Sequence, residues 1–199
     1  TKNEHAMRKT IFRVLLILTM GVGGWVYQSV ALGDQNHPRL DSLFQELRAT
    51  NDQEAAQEIS DEIWRLWREV DDPEAAELFA LGQRAMTERH YRTAYRHFSE
   101  LVTTMPDFAE GWNARATLLY QVESYDESIS DIKETLQREP RHFGALAGLG
   151  FIFLRQHQFG PAINVFRAAL EINPHMPQIH QALKQLELRE ENLIEQNTI

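Results

Sequence analysis

Three consecutive stretches of 34 residues decide the fold of this chain: AAELFALGQRAMTERHYRTAYRHFSELVTTMPDF (75–108), AEGWNARATLLYQVESYDESISDIKETLQREPRH (109–142) and FGALAGLGFIFLRQHQFGPAINVFRAALEINPHM (143–176). When the three are aligned, several positions carry the same kind of residue. These are the small residues Gly82, Ala116 and Gly150, the aromatic residues Tyr91, Tyr125 and Phe159, and the prolines Pro106, Pro140 and Pro174. A fixed period of this length predicts stacked copies of one structural unit.

Each stretch has the hydrophobic spacing of two antiparallel helices, here called helix A and helix B. In the first stretch, Leu78, Leu81, Gly82 and Ala85 fall at i, i+3, i+4 and i+7, on one face of an α-helix. The small residue on that face lets helix B approach closely, and the proline ends helix B because it has no N–H to donate. Helix A is predicted near 75–88, 109–122 and 143–156, and helix B near 91–104, 125–137 and 159–172.

The period and these positions resemble the tetratricopeptide repeat (TPR), a helix–turn–helix unit that stacks into a solenoid. The resemblance implies an all-α, right-handed solenoid with TPR units at 75–108, 109–142 and 143–176. The segments LFQELRATNDQEAAQEISDEIWRLW (43–67) and EPRHFGALAGLG (139–150) are similar to exported bacterial TPR proteins. Membership of that family implies a non-enzymatic scaffold or adaptor that binds a protein or peptide partner.

Helices are also predicted on both sides of the repeats. A hairpin over 34–74 breaks at Thr50–Asp52, where Asp52 is a good N-cap for the second helix. On that helix, Trp64 and Trp67 lie one turn apart and either cover the open end of the solenoid or contact a partner or a second copy. The region 177–199 is predicted to form a capping helix over about 177–192, followed by a frayed tail.

The N-terminal segment 1–33 resembles an export signal. Within MRKTIFRVLLILTMGVGGWVYQSVALGD (7–34), a basic start precedes an apolar run over 14–27 and two small-x-small cleavage patterns that end at Ala31 and Gly33. The alternative is an uncleaved anchor, because 14–33 is uncharged and about long enough to span a bilayer. In both cases the positive flank stays inside. The repeats are therefore expected in the periplasm, either free or attached to the inner membrane as an assembly factor.

Composition argues against several classes of function. The formal net charge is −9 and the residues after position 33 are acidic overall, which disfavours nucleic acid as a partner. The chain has no cysteine, which excludes thiol chemistry and disulfides within it. It contains no phosphate-binding loop, zinc signature or nucleophile elbow. We therefore expect no catalytic residues, no cofactor and no metal. A homodimer is compatible with the sequence.

The TPR resemblance implies a binding groove on the concave face of the A helices. The residues predicted to line it are Phe79, Gln83, Met86, Asn113, Thr117, Tyr120, Gln121, Phe151, Leu154 and Arg155. The apolar members are expected not to be needed for packing inside a unit, and Arg155 is expected to bind a carboxylate. Alternatively, the C-terminal helix or a neighbouring unit covers part of this surface. Chaperone-binding TPR clamps carry lysine, asparagine and further basic residues at concave positions that here hold Phe79, Gln83, Asn113, Gly144 and Gly148, so a clamp of that type is not expected.

Overall fold

A computed structural model describes residues 34–197 of the chain, and the segment predicted to direct export lies outside them. After a short 3-10 turn at Asp34–Asn36, the described residues form nine α-helices. They are α1 (Leu40–Ala49), α2 (Gln53–Arg68), α3 (Pro73–Thr87), α4 (Tyr91–Thr104), α5 (Ala109–Gln121), α6 (Tyr125–Arg138), α7 (Phe143–Arg155), α8 (Phe159–Ile172) and α9 (Pro177–Asn197). The predicted all-α architecture is confirmed. Within this range no helix has both the length and the apolar character needed to cross a bilayer.

The three repeats are the helix pairs α3–α4, α5–α6 and α7–α8, and each pair is held by a close contact. A Cβ atom on Gly82 would come within 3.0 Å of three ring atoms of Phe98 on α4. Gly150 and Phe166 repeat this arrangement in the third unit. In the second unit the same two positions hold Ala116 and Ile132, which share one buried cluster. The slightly larger residue on the A helix therefore faces a smaller partner on the B helix.

Each turn from helix A to helix B places a non-glycine residue in the left-handed backbone region. Arg89, Glu123 and His157 have φ angles of 59°, 63° and 59°. In each case the next residue donates its N–H to a carbonyl five residues back, as in Ser124 N to Leu119 O at 2.9 Å. This bond satisfies a carbonyl at the end of helix A. It also reverses the chain within about three residues, so that helix B lies directly against helix A.

The pre-repeat hairpin forms as predicted but packs in a different place. Asp52 caps α2 by accepting from the N–H groups of Glu54 and Ala55 at 2.9 and 3.3 Å. The apolar faces of α1 and α2 enclose Phe143 at the start of α7, with Met176 packed against the same cluster. The expectation that the two tryptophans cover the open end of the solenoid is therefore wrong. The hairpin lies across the turns that join successive repeats, because those turns expose apolar side chains that only a further layer can bury.

The last helix, α9, packs one apolar face on the third repeat. Ile179, Ala182, Leu183 and Leu186 join a buried cluster with Phe166 of α8. The helix runs to Asn197, which is beyond the predicted end near residue 192. Fraying of the chain from residue 193 onward stays a prediction.

The contact at Gly82 yields a direct test. We expect Gly82→Leu to lower the free energy of unfolding by about 3 kcal/mol or more, because the new side chain would overlap the buried Phe98 ring. Urea denaturation followed by circular dichroism measures this change. Gly160→Leu is the matched control, since a Cβ atom on Gly160 meets nothing within 4 Å. Equal unfolding midpoints for the two variants would contradict the packing described above.

Candidate partner-binding groove

The concave face of the A helices carries a cavity that is closed on one side by the hairpin. Its volume is about 170 Å³. We call it the Arg68 cavity; it is lined by Trp64 and Arg68 from α2, Gln83 and Met86 from α3, and Glu110, Asn113, Ala114 and Thr117 from α5. The groove is therefore bounded by the A helices and also by α2, which forms a wall that TPR periodicity alone does not predict.

A second cavity of about 90 Å³ lies beside the first, between α5 and α7. We call it the Gly148 cleft; it is lined by Asn113, Ala116, Thr117, Tyr120, Ser128, Ile132, Gly144, Ala145, Gly148 and Ile152. Asn113 and Thr117 line both cavities, so the two lie next to each other along the concave face. The lining of the Gly148 cleft is mainly apolar, whereas the lining of the Arg68 cavity is about half polar and includes the charged residues Arg68 and Glu110.

An aromatic stack on His142 fixes α2 in this position. The Trp67 ring lies 4.1 Å from the His142 ring at an interplanar angle of 10°, and Trp64 meets the same ring edge-on at 5.2 Å. The Nδ1 atom of His142 accepts from the N–H of Ala145 at 3.0 Å and so caps the start of α7. Because Nδ1 accepts, the ring proton lies on Nε2, which is 3.1 Å from Glu110 Oε2 and donates to it.

Glu110 is a buried carboxylate at the base of the Arg68 cavity, with its side chain only 3% exposed. Besides His142, it accepts from the Asn113 amide at 2.8 Å, and Arg68 Nε lies 3.8 Å from its other oxygen. These partners compensate the cost of burying the charge. The Arg68 guanidinium lies 5.1 Å from the Trp64 ring centre, and its side chain remains 51% exposed. It therefore presents a positive charge to the cavity.

Polar contacts hold the hairpin to the turn between the second and third repeats and to the turn between the third repeat and α9. Arg141 donates to Asp41 of α1 at 2.6 Å, and its guanidinium lies 4.5 Å from the Phe44 ring centre. Asn173 donates to the Ser60 hydroxyl at 3.3 Å. On the outer face of α2, Glu62 bonds to Arg65 and Arg39, and the bond from Arg65 is the main reason that the pKa of Glu62 falls to about 2. The contacts of Arg141 and Asn173 thus bond the hairpin to two separate turns of the repeat region.

The residues predicted to line the groove fall into three groups in the structure. Gln83, Thr117, Gln121 and Arg155 are exposed; Phe79, Met86, Tyr120, Phe151 and Leu154 are half-buried; and Asn113 is buried. The two cavities bring together Gln83, Met86, Asn113, Thr117 and Tyr120. Phe79, Gln121, Phe151, Leu154 and Arg155 are not among the residues that line them.

The expectation that the apolar groove residues are not needed for packing is wrong. The Phe151 ring lies 5.1 Å from Phe166 on the B helix of its own repeat, and the Phe79 ring lies 6.3 Å from Phe98. Tyr120 lies 5.9 Å from Tyr125. Met86 packs on the core of the first repeat, and Leu154 packs on the cluster shared by α8 and α9. These side chains lie at the border between the concave face and the helix A–helix B interface, so each serves the core.

The structure also revises or adds detail to the predicted contacts of four polar and aromatic residues. The Asn113 amide is already bonded to Glu110, so it does not project as a free donor. Arg155 donates to the Tyr125 hydroxyl at 3.3 Å, which raises the pKa of its guanidinium, and lies 3.3 Å from Glu123. Trp67 is 1% exposed and therefore lies in the core instead of forming a surface contact. Trp64 is half-buried and borders the Arg68 cavity.

The three helix–turn–helix repeats agree with the similarity of this chain to a known TPR protein. A TPR repeat-containing protein of Rhizobium etli is 34% identical over 136 residues, which cover 68% of this chain and 67% of the relative. The chain belongs to the tetratricopeptide-repeat protein family. No protein-family model matches it.

Two solved TPR structures share the fold at low sequence identity. The TPR2B domain of yeast Sti1, in a complex with pHsp70, has a TM-score of 0.55 at 20% identity and covers 59% of this chain and 99% of that domain. The first TPR of Spaghetti, bound to the HSP90 peptide SRMEEVD, has a TM-score of 0.57 at 15% identity and covers 60% and 94%. At these identities the likeness establishes the fold alone.

The stack on His142 predicts a large effect from one truncation. We expect Trp67→Ala to lower the free energy of unfolding by about 3–5 kcal/mol, because it removes a fully buried aromatic ring from the hairpin core. Equilibrium urea denaturation is the measurement. Tyr95→Ala serves as the control, since that ring is 49% exposed and its loss is expected to cost about 0.5 kcal/mol or less. A Trp67→Ala variant as stable as this control would mean that the hairpin does not dock on the repeats.

Proposed function

We propose that this protein is a non-enzymatic TPR adaptor that binds a segment of a partner protein in its concave groove. The observation that carries the proposal is the pair of adjoining cavities, which open side by side on the face where the A helices and α2 meet. One cavity offers an apolar lining and the other a half-exposed guanidinium. Together they suit a polypeptide that carries both apolar and polar side chains.

The two structural neighbours support a protein or peptide partner, because one was solved in a complex with pHsp70 and the other bound to an HSP90 peptide. The chemistry of this groove differs from a lysine-rich chaperone clamp, since Phe79 and Gly148 occupy positions where such clamps carry basic groups. The proposed partner is therefore recognised by other contacts than those of a chaperone C-terminus.

The proposal includes an envelope location. The basic start, the apolar run and the small-x-small patterns within 1–33 support export to the periplasm, followed by removal of this segment. The second candidate is an assembly factor attached to the inner membrane with its repeats facing the periplasm. It is favoured by the uncharged length of 14–33.

Crosslinking from the groove in intact cells tests partner binding. A photoreactive amino acid replaces Thr117 in the full-length chain, and the matched control carries it at Thr103. Both threonines are exposed helix residues whose hydroxyl donates to the carbonyl four residues back, at 2.9 Å and 2.7 Å. Only Thr117 lines the two cavities.

We expect one envelope protein to be crosslinked at Thr117 and absent at Thr103, with the contact peptide mapped by mass spectrometry. A further Thr117→Lys variant is expected to reduce copurification of that protein at least about tenfold, because a long charged side chain enters both cavities. Equal crosslinking at both positions, or no effect of Thr117→Lys, would reject the concave groove as the binding site.

The location is tested by the mass of the protein recovered from fractionated cells. Release with the periplasmic fraction and a chain beginning after Ala31 or Gly33 is the result expected for a cleaved export signal. Detergent-dependent extraction of a chain that retains 14–33 would favour the anchored assembly factor instead. Recovery of the intact chain from the cytoplasm would contradict both.

A further inference from the structure

Gly148 has no packing role that accounts for it. It lies in the interior of α7, where glycine is less favourable than alanine because it loses more backbone freedom on folding. A Cβ atom there would meet only the Ile132 side chain, at an ordinary distance of 3.9 Å. By contrast, Gly144 and Gly150 in the same helix face Trp64 and Phe166, which a Cβ atom would overlap. Alanine would therefore fit at Gly148 and favour the helix.

What glycine provides at this position is an open cleft. The Gly148 cleft has a volume of about 90 Å³, well above the ~10–15 Å³ that one water molecule requires. Its base includes Ile132 and Ile152, both almost fully buried. The Ser128 hydroxyl at the same base is already bonded to the carbonyl of Ala116 at 2.8 Å. An apolar group of a few carbon atoms is the occupant that this surface suits, because it would cover apolar walls without leaving a polar group unpaired.

The neighbouring Arg68 cavity favours a negatively charged group on the ligand. Arg68 reaches it from α2 and lies 3.8 Å from Glu110, whose other oxygen already accepts from Asn113 and His142. The guanidinium has five donors in a fixed plane, and half of its side chain is exposed. A carboxylate in the cavity would therefore pair with a donor array that Glu110 uses only in part.

We propose that the Gly148 cleft receives one aliphatic side chain of an extended partner segment, while Arg68 pairs with an Asp or Glu side chain nearby in the same segment. The two contacts belong to one ligand because the cavities share Asn113 and Thr117. This inference rests on the proposed function and names the chemistry by which the groove selects its partner.

Selection of random peptides tests this chemistry without a known partner. A phage-displayed library is panned against the full-length protein, and the consensus peptide is then synthesised for measurement of its Kd. We expect selected peptides to combine Leu, Ile or Val with a neighbouring Asp or Glu. We expect Gly148→Ala to raise the thermal midpoint and yet weaken the consensus peptide about tenfold, since its methyl group occupies the cleft.

Matched variants separate binding from folding. Gly160→Ala also replaces a helix glycine that has open space around it, and it lies outside both cavities, so it should leave Kd unchanged. For the charge contact, a peptide with its acidic residue changed to the amide should bind wild type about tenfold more weakly. The same change should have little effect with Arg68→Gln, whereas Arg167→Gln, on the exposed side of α8, should behave like wild type.

The outcomes distinguish this inference from the proposed function. Selected peptides that Thr117→Lys weakens, but that show neither the aliphatic–acidic pattern nor sensitivity to Gly148→Ala, would overturn the inference and leave groove binding in place. Failure to select any peptide that Thr117→Lys weakens would overturn both. If the amide peptide binds Arg68→Gln about tenfold more weakly than the acidic peptide does, as is expected for wild type, the charge contact would be rejected.

Discussion

The contact between the small residue of each A helix and the large residue of its B helix is the constraint on which the rest of the structure depends. Gly82 against Phe98, Ala116 near Ile132 and Gly150 against Phe166 allow the two backbones of each repeat to lie close together. Because the same spacing recurs in each repeat, the three A helices line one concave face. The cavities between them exist because those helices are held at fixed separations.

The hairpin turns this general scaffold into a particular site. Trp67 stacked on His142 places α2 along the edge of the concave face, and Arg68 then enters the groove beside Glu110. His142 has two roles, since it caps α7 through Nδ1 and bonds to Glu110 through Nε2. The start of the third repeat, the base of the cavity and the hairpin are therefore joined through one imidazole ring.

Periodic features of the sequence predicted the fold well. The observed bounds of the repeat helices lie within two residues of those expected from the 34-residue period, because hydrophobic spacing and proline positions act locally. The position of the hairpin was not predictable in this way. Its contacts pair Asp41 with Arg141 and Leu47 with His175, and such distant pairs leave no local pattern. Arg68 is therefore not identifiable as a groove residue from the sequence. Phe79 and Phe151 are predicted to line the groove from their repeat positions, although both rings also pack against the B helices of their repeats.

The distant contacts of the hairpin imply an order of folding. Within each repeat, the helices that touch are neighbours in sequence, so closing those contacts costs little chain entropy. The hairpin cannot complete its contacts until Arg141, Asn173 and His175 have been synthesised, because these partners lie about a hundred residues later in the chain. We infer that the repeats assemble first and the hairpin docks last. In this order of folding, α2 docks on the groove only after the third repeat has formed. A chain that lacks the third repeat would therefore present the concave face without its α2 wall.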